Sequence, residues 1–193
     1  MASSVDVRGG VSMQNLPSRD YSTAVPIGVD YAHHEVHAGK HFFIAQGYNL
    51  PTSGNVRTVF FLTGNDGSLC HMLPSITVNG PGTFRLIEAP SNSVSPATVP
   101  LNNRRPSANV SAATWSTSTS ALTTDGSSVV LANLILGKSS GGGANTTVIG
   151  GNAGSREELI LKANTLYGMD FTSAGDDVDV NFILEWYEHT DKA

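Results

Sequence analysis

Histidine and glutamate crowd together once in this sequence, in His33-His34-Glu35-Val36-His37 followed by His41. Imidazoles beside a carboxylate are the usual makings of a zinc centre. The protease form of that chemistry needs H-E-x-x-H on a helix, so that the two imidazoles lie one turn apart. Here Val36 alone separates Glu35 from His37, one residue short of the motif. If Ile27–Val36 runs as a strand, His33, Glu35 and His37 share a face, and these three are the candidate metal ligands. Surface or hydrogen-bonded histidines beside a strand are the preferred reading, and no cofactor is expected.

Other chemistry-bearing groups fit their motifs less well. Gly137-Lys138-Ser139 matches the end of a phosphate-binding loop, but the glycine required five positions before that Gly-Lys is Ala132, inside the apolar run VVLANLIL. A strand there cannot form the nest of N–H groups that cradles phosphate. Asp176, Asp177 and Asp179 place three carboxylates in a short span, too few ligands and no loop pattern for calcium, and read as a solvated turn and polar strand face. A G-x-S-x-G elbow is absent, and no nucleophile sits in a recognisable frame, so no catalytic residue is assigned and the chain is not read as an enzyme. Cys70 is the single cysteine, which excludes a disulfide framework within the chain and reads as a buried apolar thiol. Arginine forks suit carboxylates on protein surfaces. Arg104 and Arg105 of the Asn102-Asn-Arg-Arg loop, with Arg8 and Arg19 of the N-terminal segment, are therefore the candidate partner contacts.

Composition limits what could position such groups. The chain has 193 residues, 20 of them glycine, with 14% charged residues and a net charge of -5. That mix suits strands joined by turns in one domain. It argues against a dedicated nucleic-acid binder, which needs a surplus of Lys and Arg. No stretch approaches the roughly 20 apolar residues of a membrane helix, and the N-terminus lacks the pattern of a secretory signal. Residues 1–26 show no sustained periodicity and read as an extended arm, leaving residues 27–193 as a single β domain.

Within that domain His41–Tyr48, Arg57–Thr63, Met72–Val78, Thr83–Ile87, Val110–Thr119 and Val129–Leu136 read as strands. Arg57–Thr63 is apolar on both faces, as expected of a central strand. Ala89–Ser107 and Gly137–Ser155 read as long loops. Ser155-Arg-Glu-Glu158 fits a helix capping box, yet Leu159 and Leu161 also fit period two, and a strand is favoured there. The clearest alternation lies near the C-terminus. Tyr167, Met169 and Phe171 share one face, and Val178, Val180, Phe182, Leu184 and Trp186 share another. With Ser-Ala-Gly-Asp between them, these two runs read as an antiparallel hairpin burying one face.

Three segments taken together, HHEVHAGKHFFIAQGYN, the NNRRPS loop and EELILKANTLYGMDFTSAGDDVDVNFILEWYEHT, resemble a family of tailed-bacteriophage virion proteins. The resemblance spans about residues 30–190. It rests on an H-x-E-x-H-x-G segment entering an aromatic strand, an Asn/Arg-rich loop in mid-chain, and a terminal W-Y-E-H-T. It implies a structural role in the virion without catalytic residues. The expected fold is all-β: an antiparallel, jelly-roll-like sandwich with an extended N-terminal arm. The expected role is that of a decoration or cement protein, made in the host cytoplasm, bound to the major capsid protein on the head surface, and self-associating, with a trimer the first expectation. No nucleic acid, membrane or small-molecule substrate is expected. A neck or tail component, and a carbohydrate-binding sandwich for host attachment, are the alternatives.

Overall fold

The computed structural model describes residues 31–137 and 158–189, which form one helix and ten strands. In chain order these are α1 (Tyr31–Ala38), β1 (His41–Leu50), β2 (Val56–Leu62), β3 (Leu69–Val78), β4 (Gly82–Glu88), β5 (Leu101–Asn102), β6 (Thr114–Ser118), β7 (Val129–Leu136), β8 (Leu159–Leu161), β9 (Leu166–Ser173) and β10 (Val178–His189). Two five-stranded sheets pack face to face, one ordered β5-β1-β10-β3-β8 and the other β6-β2-β9-β4-β7. All pairings are antiparallel. If the edge strands β5 and β6 are set aside, the ladders β1–β10, β2–β9, β3–β8 and β4–β7 pair first strand with last, second with second-last, and so inward. An antiparallel ribbon rolled in this way is a jelly roll, as expected from the sequence.

Alternation sets the core. Phe42 and Ile44 of β1, Met72 and Ile76 of β3, and Val180, Phe182, Leu184 and Trp186 of β10 point inward from the first sheet. They meet Val59 and Phe61 of β2, Phe84 and Leu86 of β4, and Met169 and Phe171 of β9. The Trp186 indole packs edge-on against Phe61, with ring centroids 4.8 Å apart. Pro74 lies in a strand that is internal to its sheet, where proline is normally excluded. The short β8 pairs only with Cys70–Met72, so on that side Pro74 has no ladder bond to lose.

The proposed hairpin of β9 and β10 is not formed. β9 lies between β2 and β4 and β10 between β1 and β3, in opposite sheets. The link through Asp177, at a positive φ of 54°, arches across the core instead of folding back beside it. Alternation identifies the buried face, as the burial along β10 shows. It carries no information on whether the neighbouring run pairs with it or faces it.

β9 is buried on both sides, because a second small cluster of Phe60, Ile87 and Leu122, joined by Val94 and Leu166, covers the outer face of its sheet. Leu122 is pinned there by a buried ion pair. Arg85 and Asp170 are cross-strand neighbours on β4 and β9, and Arg85 grips the carboxylate with both Nε and Nη2. The Leu122 N–H donates to Asp170 Oδ2 at 2.8 Å, and its carbonyl accepts from Arg85 Nη2 at 3.0 Å. A Cβ on Gly168 would stand 2.3 Å from Leu122 Cδ2, so glycine is what lets the leucine seat.

The second correction concerns the histidine-rich segment. Residues 31–38 form a helix where a strand was expected over Ile27–Val36, and residues 27–30 lie outside the described residues. An eight-residue helix is marginal alone and depends on packing, here against β1 and β10. It ends in a Schellman motif, in which the Lys40 N–H donates to the Glu35 carbonyl and the Gly39 N–H to that of Val36. Gly39 takes the left-handed conformation, φ 70°, that this ending requires.

Candidate functional site

The three sequence segments behind the family resemblance lie far apart in the chain and converge at one corner of the sandwich. The Glu188 N–H at the end of β10 donates to the Lys40 carbonyl, joining the last strand to the residue that leaves α1. Asn102 Nδ2 donates to the Gly39 carbonyl at 2.8 Å and to the Asn109 carbonyl at 3.0 Å. Asn109 Nδ2 donates to the carbonyl of Ala38 at 3.1 Å, and Arg104 Nη1 donates to that of His37 at 2.6 Å. Two of these acceptors, the carbonyls of His37 and Ala38, are at the C-terminal end of α1, where carbonyls lack intrahelical partners and carry the negative end of the helix dipole, so amide and guanidinium donors are well suited to them.

Glu188 anchors the other side of the corner. Its carboxylate is buried among the Ser111 hydroxyl, the Ala112 N–H at 3.0 Å and Trp186 Nε1 at 3.0 Å. Three donors replace the water the carboxylate has lost, which is the condition for burying it. The strap from Asn102 to Ala113 is thereby tied to both α1 and β10.

Next to the corner, on the outer face of the first sheet, β1, β10, β3 and β8 set His41, Tyr187, His71 and Ile160 in one lateral row. His71 and Tyr187 stack, with ring centroids 4.7 Å apart, and His189 lies 4.5 Å from His71. Their polar atoms form a chain. Tyr187 Oη donates to Glu158 Oε2 at 2.8 Å and lies 3.2 Å from His71 Nδ1, while His71 Nε2 and His189 Nε2 are 2.7 Å apart. Glu158 Oε1 is also 3.5 Å from His71 Nδ1. This is an orienting network: carboxylate and phenol fix one side of the His71 ring, and a second imidazole shares a proton with the other. At the far end of the row, His41 Nδ1 is 3.2 Å from Asn103 Nδ2. Burial holds the His41 imidazole below its usual pKa, partly offset by the negative charge of Glu185.

The candidate metal ligands do not share a face. On a helix Glu35 points away from the side that positions 33 and 37 have in common. Glu35 is buried with His34 Nδ1 3.2 Å away, His37 is exposed, and the side chain of His33 lies outside the described residues. Among the described residues no group of three or more His, Cys, Asp or Glu side chains converges as a metal site. Arg104 and Arg105 are both exposed, Arg104 spending one N–H on His37, and Arg8 and Arg19 lie outside the described residues. The carboxylates of the closing arch are exposed but engaged, since Asn49 Nδ2 donates to both Asp177 and Asp179 at 2.9 Å, and Asn79 Nδ2 donates to Asp179 at 2.8 Å. Cys70 is buried, and its thiol pKa is pushed well up by desolvation and then by the nearby Glu188 charge.

Sequence reasoning missed the His71–Tyr187–His189–Glu158 network. Tyr187 and His189 stand two apart on β10 and so share a face, but their partner on β3 follows only from strand pairing. Glu158, a capping-box candidate in the sequence, instead leads into β8 and accepts from Tyr187. No family model, curated protein or solved structure matches the chain.

Proposed function

We propose that this chain is a structural subunit of a tailed-bacteriophage virion: a decoration protein that binds the major capsid protein on the outer surface of the head and stiffens the shell. The observation that carries the reading is the convergence at the α1 corner. The segments that resemble the virion family are the ones hydrogen-bonded to one another there, the Asn102 side chain to the Gly39 carbonyl, the Arg104 side chain to the His37 carbonyl, and the Glu188 N–H to the Lys40 carbonyl. A motif set that is scattered in sequence and joined in space behaves as one structural signature. A rigid jelly roll whose polar groups are spent on internal hydrogen bonds suits a load-bearing part. Many weak attachments, repeated over a symmetric lattice, add up by avidity.

Copy number in purified particles tests this reading. Hundreds of copies per virion, located on the head by cryo-electron microscopy, are expected. Six or twelve copies at the neck or tail would replace it with the adaptor alternative. Removing residues 1–26 is expected to leave a folded domain that binds expanded heads more weakly. The carbohydrate alternative loses ground because, among the described residues, the exposed large apolar side chains are all aliphatic, whereas sugar faces are normally stacked on aromatic rings.

A further inference from the structure

β7 is the edge strand of the second sheet and has a composition that sheet edges normally avoid. Its sequence, VVLANLIL, has no lysine, no proline and no charge of either sign. Natural edges are blunted by such residues because an open row of N–H and C=O groups invites another strand. Here the side chains invite it as well. Ile135 is 88% exposed and Val130 54% exposed, and Leu131 and Leu134 are also exposed. Leu134 pairs with the core residue Phe84, so it sits on the core side of the sheet and yet remains open to solvent at this margin. One blunting device is present: Leu131 is an extra residue opposite the Leu86–Ile87 step, which bends the first part of the strand. Ala132–Leu136 beyond it is regular.

We infer that β7 is a self-association edge, on which the Ala132–Leu136 stretch of one copy pairs antiparallel with the same stretch of a second copy about a two-fold axis. Three properties select a second copy over another partner. The strand is neutral, so it offers nothing for a charged segment to recognise. The chain carries a net charge of -5, so two copies repel least where both surfaces are uncharged, and from Ser127 to Gly137 neither sign occurs. An isologous contact also sets apolar side chains against apolar side chains by symmetry, and it supplies each open backbone edge with the only partner always present at equal concentration. The contact goes beyond the virion reading and does not depend on it. It also predicts an even stoichiometry, since a two-fold edge contact cannot by itself close a trimer.

Sedimentation of the full chain, wild type and Ile135→Lys, over a range of protein concentrations tests the inference. Ile135 is exposed, so the substitution leaves the core intact, and circular dichroism should confirm unchanged strand content. The wild type is expected to sediment as a dimer or a multiple of it. The variant is expected to dissociate at concentrations at least tenfold higher. A wild type that remains monomeric at every concentration, or that is solely trimeric, overturns the inference. So does an I135K protein with unaltered assembly, including one that has lost only its binding to phage heads, which would assign β7 to a different partner.

Discussion

His71 Nε2 and His189 Nε2 stand 2.7 Å apart at the β3–β10 ladder, so one ring must donate a proton and the other accept it. Glu158 and Tyr187 flank the opposite side of the His71 ring. The contact ties the end of β10 to β3 on the outer face of the first sheet.

Acid should weaken the sandwich through His41. Its native pKa is lowered by burial, so below the unfolded value of about 6.5 the unfolded chain binds a proton that the native state resists. Stability is thus fully present above that value, falls as pH drops towards the lowered native pKa, and levels off beneath it. Urea midpoints at about pH 7.5 and about pH 5.5 should differ, with the lower at acid pH. The gap should narrow in His41→Asn. Equal midpoints in the wild type would remove the His41 contribution.

The Arg85–Asp170 pair should respond asymmetrically to truncation. Asp170 is fully buried, whereas the Arg85 side chain keeps 28% of its exposure. Arg85→Ala leaves an uncompensated carboxylate in the interior and should cost about 3–5 kcal/mol. Asp170→Ala leaves a guanidinium that can turn to water, together with an unpaired Leu122 N–H, and should cost about 2–3 kcal/mol. Chemical denaturation of both variants checks the order, and a milder effect for Arg85→Ala would contradict it.

Gly39→Ala should loosen the α1 corner. Alanine is strained at this positive φ, and its Cβ would stand 2.3 Å from Ser107 Oγ. A loss of about 1–3 kcal/mol is expected, with faster amide exchange in residues 31–40 than in β9. Uniform exchange throughout the sandwich would mean that α1 and the sheets unfold as one unit.

Much of the fold was legible in sequence because side chains on a strand alternate between faces. The β2 apolar run and the series Val178 to Trp186 are placed at the interior by spacing alone, and their core residues are there. Leu159–Leu161 is a strand, as its period-two spacing predicts. Trp115, which the spacing puts at the centre of the Val110–Thr119 run and at an interior position, is half-buried on the edge strand β6 (Thr114–Ser118) and only packs against the core.

Tertiary structure decided what periodicity cannot encode. The separation of β9 and β10 into opposite sheets is set by long-range pairing, since the same alternation fits a hairpin or an arch. Tyr31–Ala38 became a helix because the Gly39 turn and the donors Asn102, Asn109 and Arg104 meet its C-terminal end, and those donors are distant in the chain. The meeting of His71 with His189, and of Arg85 with Asp170, follows from strand register. The sequence by itself determined which faces are apolar and where the chain turns, because those are local properties of side-chain spacing and backbone preference. Which residues became neighbours was left to the packing of two sheets, a property of the whole chain.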